Sequence, residues 1–253
     1  MTLRAAGRLV WFAAEATAAF AKYFFAVTLS APKNLRVARA LWLQRTARAH
    51  FRLFGGTVSV SGEIPQRGLL VANHLSYLDI VVIASVTPAV FVSKAEVRRW
   101  PVFGALAAMG GTIFIQRDRR THVGEVNDEI EQALAGGVLV VIFPEGTSSD
   151  GETILPFRAP LLEPALRGGH ELATAWIHYD LADGDPKTEV CYWGDHAFFP
   201  HLLNLLGKKN VRATLRFGKF HRATHDRKEL AVQLRDAVLK LKAEATVTSS
   251  PAR

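Results

Sequence analysis

The stretch Leu69-Leu70-Val71-Ala72-Asn73-His74-Leu75-Ser76-Tyr77-Leu78-Asp79 passes from a short apolar run through a polar turn into a helical pattern. A four-residue run of that kind reads as a buried strand, and the polar residues after it fall at the strand's C-terminal end. Similar runs occur on either side, with strands predicted over 57–61, 89–92, 112–115 and 138–143 and helices over 77–85, 102–108 and 123–134. Further strands are predicted over 171–179, 189–193 and 211–217, followed by an amphipathic helix from 227 to about 243. Strands alternating with helices predict an α/β fold with a mixed, largely parallel sheet flanked by helices. No internal repeat or linker interrupts 55–245, so it is read as one domain, with 1–54 as a helical appendage and 246–253 as a flexible tail.

The chain has 253 residues, 49% hydrophobic and 21% charged, an ordinary globular composition. Its one cysteine, Cys191, excludes an intramolecular disulfide and any multi-cysteine zinc site. The formal net charge of +8 belongs wholly to residues 1–56, which hold nine Lys/Arg and one acid, Glu15. A basic arm on a neutral body suits a polyanionic surface, phospholipid or nucleic acid. Within 3–29, Arg4, Arg8, Glu15 and Lys22 project onto an arc of about 40° at ~100° per residue, leaving a wide apolar face. The longest uncharged run, 23–32, is short of the ~18 residues that mark a spanning helix. An amphipathic helix lying in a bilayer interface is the expectation. A second helix is expected over 33–54, where six basic residues are interleaved with Leu41, Trp42, Leu43, Phe51 and Phe54. Such cations can snorkel to anionic headgroups. The competing reading is a pair of helices that cover their own domain's core and present a solvated basic face.

The chain lacks G-x-S-x-G, a P-loop, H-E-x-x-H and a dinucleotide-binding glycine fingerprint. It does have a histidine five residues before an aspartate, a pair in which the carboxylate can hold one ring nitrogen as N–H and free the other as a general base. That spacing occurs three times, as His74/Asp79, His178/Asp183 and His221/Asp226, so context must choose. Two segments supply it. Gly111-Thr112-Ile113-Phe114-Ile115-Gln116-Arg117 is a strand ending in a cation, followed by Arg119 and Arg120. Phe143-Pro144-Glu145-Gly146-Thr147-Ser148-Ser149 is a strand end breaking into a Pro/Gly turn. On parallel strands, His74, Arg117 and Glu145–Thr147 would share the edge where open α/β sheets bind ligands. A base, a cation and a turn with backbone and hydroxyl donors suit acyl transfer to an alcohol near an anionic group.

These blocks, in this order, resemble the glycerolipid acyltransferase family typified by bacterial 1-acylglycerol-3-phosphate acyltransferases. The resemblance runs from about residue 69 to 158 and more weakly to 217. It is carried by N-H-x-x-x-x-D at Asn73–Asp79, by Gly111, Phe114, Ile115 and Arg117, by Phe143–Thr147, and by Ser93-Lys94-Ala95-Glu96 before Pro101. It implies an α/β acyltransferase at the cytoplasmic face of the cell membrane, peripheral or monotopic. It also implies acyl-CoA or acyl-acyl carrier protein as donor, a lysophospholipid as acceptor, and no metal or other cofactor. In that scheme His74 deprotonates the acceptor hydroxyl, Asp79 orients it, and Asn73, Arg117, Glu145, Gly146 and Thr147 bind substrate. Lys94, Arg119, Arg120, Ser148 and Arg158 are possible accessory contacts.

Two positions depart from the family pattern. Phosphatidate-forming members often have Arg where this chain has Ser148, and the apolar strand Ala173-Thr174-Ala175-Trp176-Ile177 lacks the family's Pro. The block Tyr192-Trp193-Gly194-Asp195, with Pro200-His201-Leu202 after it, looks like the branch that acylates lyso-ornithine lipid. Phosphatidate formation stands first at this stage as the commoner role, with lyso-ornithine acylation close behind. Two readings from other classes are an inactive membrane-surface scaffold, which the intact His74, Asp79, Arg117 and Glu145 argue against, and a nucleic-acid binder. The latter explains the basic arm but none of the three blocks.

Overall fold

The computed structural model describes residues 2–116, 120–222 and 224–248, without the side chains of 120, 121 and 246–248. Seven strands form one sheet: β1 (Thr57–Ser61), β2 (Gly68–Ala72), β3 (Ala89–Lys94), β4 (Ile113–Ile115), β5 (Leu139–Ile142), β6 (Leu172–Leu181) and β7 (Val211–Phe220). Their order is β1-β7-β6-β2-β5-β3-β4. From β6 to β4 all pairings are parallel, while β7 runs antiparallel to β6 and carries β1 parallel to itself. The mixed, largely parallel sheet read from the sequence is therefore present.

The central strands have apolar side chains on both faces, as a sheet covered on two sides requires. Leu70, Ala72, Phe91, Leu139 and Val141 enter one core, and Leu69, Val71, Val90, Val140 and Ile142 the other. The first core is closed by α1 (Leu3–Tyr23), α2 (Leu35–Leu53), α3 (Leu78–Val86), α4 (Phe103–Met109) and α8 (Phe198–Gly207). The second is closed by α5 (Arg120–Ala135), α6 (Glu163–Arg167) and α9 (Arg227–Thr248). Three expectations change. The segment 189–193 is not a strand: it begins in the last residue of the single-turn α7 (Pro186–Glu189), whose N-cap Asp185 accepts from Lys187 N–H. The helix α8 was not anticipated, because Pro200-His201-Leu202 within it was read as part of a motif. The last helix extends to Thr248, into the segment read as tail, and 249–253 lie outside the described residues.

The two N-terminal helices differ in what they bury. Helix α2 inserts Trp42, Leu43, Ala47 and Phe51 into the first core, so its role is the core-covering one that competed with the membrane reading. In α1, which continues as a π-helical segment Phe24–Leu29, the inward seam is Ala5, Ala16 and Ala19, and Leu3, Val10, Trp11, Phe24, Phe25 and Leu29 are exposed. The 27-residue rod Leu3–Leu29 is long and apolar enough by length and composition to cross a membrane, and 17% of its most apolar window is buried.

Much of the N-terminal charge serves the fold. Arg8 donates to the carbonyls of Leu206, Lys208 and Lys209, and Arg4 to Gly207, closing the C-terminus of α8. Arg39 caps α4 through Ala108 and Met109, and Arg48 reaches Ser85 near the end of α3. Terminal helix carbonyls lack intrahelical partners and carry partial negative charge, so guanidinium groups satisfy both needs.

Candidate active site

Strands β2 and β5 lie side by side and parallel, so the loops after Ala72 and Ile142 emerge together. His74 is the second residue past β2. Its Nδ1 lies 2.7 Å from Asp79 Oδ2, and its ring stacks on Phe143 at a centroid distance of 4.3 Å. Asp79 sits in the first turn of α3, where the helix N-terminus favours a carboxylate, and is fully buried. Its Oδ2 also accepts from the N–H groups of Leu75 and Ser76, and its Oδ1 from the Tyr179 hydroxyl at 2.7 Å. With Nδ1–H donated to a carboxylate, Nε2 is left as the acceptor nitrogen. No hydrogen-bond partner engages Nε2 among the described residues, and the side chain is one-fifth exposed.

The other two His/Asp pairs are not assembled. His178 stacks on Trp176 and faces Asp180, while Asp183 accepts from Lys209 N–H. His221 is exposed, and Asp226 accepts from Lys228 and Glu229 N–H at the start of α9.

Glu145 and Asn73 are buried and engaged by backbone. Glu145 Oε1 accepts from His74 N–H at 2.8 Å and Oε2 from Leu155 N–H at 3.0 Å. Burial pushes its carboxyl up to about 7, outweighing those two bonds. Asn73 pairs with Ile177 of β6 in both directions, donating to its carbonyl and accepting from its N–H. The turn closes through Gly146 N–H to the Phe143 carbonyl, with Gly146 at φ +78°, a conformation glycine adopts without strain. Beyond it Thr147 is exposed, Ser149 N–H donates to the His74 carbonyl, and the Ser148 hydroxyl donates to the Tyr192 carbonyl.

The cations are more dispersed. Lys94 is exposed at the end of β3, next to β5, and Arg158 is exposed beside the Pro144 turn, to which its N–H donates. Strand β4 is three positions from β2, roughly 14 Å at ordinary strand spacing. Arg117 and Arg119, which follow it, lie outside the described residues, as does the side chain of Arg120.

Several participants escaped the sequence reading. Tyr179 was hidden inside an apolar strand; the available signal was that a buried tyrosine must find a partner for its hydroxyl. Tyr192 N–H donates to the Leu75 carbonyl, holding the segment after α7 against the loop that carries His74. Tyr77 donates to His201 Nδ1, whose Nε2–H reaches the Cys191 carbonyl, and burial pushes His201 down to about 4, so it stays neutral. The Cys191 thiol is pushed up to about 12 by burial, which leaves it inert near neutral pH. Beside the loop, an apolar cavity of about 100 Å³ is lined by Phe12, Tyr77, Leu78, Trp100, Phe103 and Leu106, among others.

The family model described as Acyltransferase matches residues 57–178. A lyso-ornithine lipid O-acyltransferase of Brucella abortus is 35% identical over 75% of this chain and 77% of its own length. The chain belongs to this acyltransferase family. A 1-acyl-sn-glycerol-3-phosphate acyltransferase of Neisseria gonorrhoeae is 39% identical over 47% of each chain. The crystal structure of the 1-acyl-sn-glycerophosphate acyltransferase of Thermotoga maritima has the same fold, with a TM-score of 0.56 at 19% identity over 93% of this acyltransferase and 98% of that chain.

Proposed function

We infer that this acyltransferase moves a fatty acyl group from a thioester, acyl-CoA or acyl-acyl carrier protein, to the free hydroxyl of a membrane lysolipid. His74 Nε2 takes the hydroxyl proton as the oxygen attacks the thioester carbonyl, and Asp79 stabilises the imidazolium that forms. Collapse of the tetrahedral intermediate gives the ester and a thiolate, which recovers the proton from His74. Asn73 and Glu145 act as braces that fix the loop, since their polar atoms already bind Ile177, His74 and Leu155. The apolar cavity beside Tyr77 suits part of a fatty chain. The outward face of α1 lies in the bilayer interface, where the acceptor resides.

The acceptor we favour is lyso-ornithine lipid, and Ser148 carries that reading. Its hydroxyl is bound to Tyr192, so the position where a phosphate-facing arginine often stands instead anchors the 192–195 block to the catalytic loop. An amino-acid headgroup has no phosphate to clamp. The match over three quarters of the chain is to a protein named for that acceptor, while two matches to proteins named for the glycerol-phosphate acceptor cover 47% and 54% of it. The second reading, 1-acylglycerol-3-phosphate giving phosphatidate, rests on the same three blocks. One labelled acyl donor offered with a panel of lysolipids tests both. Labelled ornithine lipid as the main product is expected; labelled phosphatidate would shift the acceptor, and transfer to no lysolipid would sink the enzymatic reading.

A further inference from the structure

Tyr179 stands near the C-terminal end of β6, fully buried, two residues beyond the Ile177 backbone that Asn73 clamps. Residues 177 and 179 face the same side of the strand, so β6 touches the catalytic loop at two points. The bonds to Asp79 are unevenly divided. His74 Nδ1, Leu75 N–H and Ser76 N–H all meet Oδ2, whereas Oδ1 receives the Tyr179 hydroxyl. Three donors on one oxygen make a pivot about which the carboxylate can turn. The phenol on the other oxygen sets its plane, and with it the direction of the lone pair offered to His74. Strand β6 is paired to β2 up to Ala175 and to β7 along its whole length, with Tyr179 opposite Ala213, so the phenol is delivered from a strand held in the sheet. Burial, then the nearby Asp79, raises the phenol's pKa well above its ordinary value, so the hydroxyl stays a donor.

We propose that Tyr179 is a positioning residue for acyl transfer: its hydroxyl fixes the plane of the Asp79 carboxylate, and through it the aim of His74. The inference rests on His74 as the base. In the full-length protein, Tyr179→Phe keeps the ring and removes one hydrogen bond to a charged group, an interaction worth roughly ten- to a hundredfold. The expected result is a kcat lowered by that factor, with the KM for donor and lysolipid changed less than about threefold and an unaltered circular dichroism spectrum. Leu215→Val, at a fully buried position of β7, is the control for stability loss alone. A fully active Tyr179→Phe protein, a rise in KM with normal kcat, or an equal kcat loss in Leu215→Val at the same thermal midpoint would each overturn the proposal. Should Tyr179→Phe fail to fold, 3-fluorotyrosine placed at 179 alters the hydroxyl's acidity without its shape; a changed kcat at constant KM supports the role and an unchanged kcat overturns it. His74→Ala separates the two layers. An active His74→Ala protein overturns the base and Tyr179 with it, whereas an inactive one beside a fully active Tyr179→Phe overturns Tyr179 alone.

Discussion

Helices α1 and α2 share a basic, apolar composition and opposite architectures. Helix α2 turns its bulky residues inward, with Trp42, Phe51 and Leu53 almost fully buried, and its Arg39 and Arg48 cap neighbouring helices. Helix α1 buries alanines, packs Phe12 and Tyr23 against the body, and leaves Leu3, Val10, Trp11 and Phe20 exposed. Small residues allow close backbone approach, so α1 docks with little core contribution and leaves its apolar area for another solvent. Arg4 and Arg8 tie it to α8 rather than to headgroups. Composition and net charge cannot separate such helices; only the angular placement of bulky against small residues does.

The sharpest way to break this contrast is to compare large-to-small changes on the two helices. Phe51→Ala, in the core, should lower unfolding free energy by about 3–5 kcal/mol in urea titrations. Phe25→Ala, on the outward face, should change it by no more than ~0.5 kcal/mol. Equal effects would mean that α1 is an ordinary core helix. Next, a chain lacking residues 1–30 should remain folded, because α2 still covers the first core, and should lose flotation with anionic vesicles. Retained flotation would shift membrane contact to another surface. Smaller again is Arg8→Ala, which removes bonds to three carbonyls at and just beyond the end of α8 and should cost about 1–3 kcal/mol of stability, with vesicle binding largely kept. A loss of binding without a loss of stability would return Arg8 to the lipid side.

The smallest effect is a pH dependence at the seam between the helices. His50 of α2 lies against Phe12 of α1, and burial lowers its pKa below the ordinary 6.5. As pH falls below 6.5 the unfolded chain binds a proton that the folded one resists, so stability falls on acidification. His50→Leu should flatten that part of the profile in urea midpoints taken between pH 7 and 5; an unchanged slope would assign it to other histidines.

The sheet and the His74–Asp79 pair were legible because both depend on local pattern: apolar runs bounded by turns, and His74 five residues before an aspartate in the first turn of a helix. The two spurious pairs shared the spacing and differed only in what the fold placed beside them. What was not legible depends on contacts between distant segments. Tyr179 meets Asp79 across a hundred residues; a tyrosine in an apolar strand signals that its hydroxyl needs a partner without naming it. Glu145 and Asn73, read as substrate contacts, also bind buried backbone N–H and carbonyl groups, which need partners and which the sequence does not reveal. Helix α8 and the turn after α7 were obscured because short apolar runs of five to ten residues suit strand and helix equally well.

The most direct test of the account offers labelled acyl donor and lyso-ornithine lipid in anionic vesicles to wild-type and His74→Ala protein, both confirmed folded by circular dichroism. Without a base near neutral pH the hydroxyl is a poor nucleophile, so the wild-type protein should form labelled ornithine lipid and His74→Ala should fall at least ~100-fold below it. Comparable product from both proteins would contradict the assignment of His74 and the mechanism built on it.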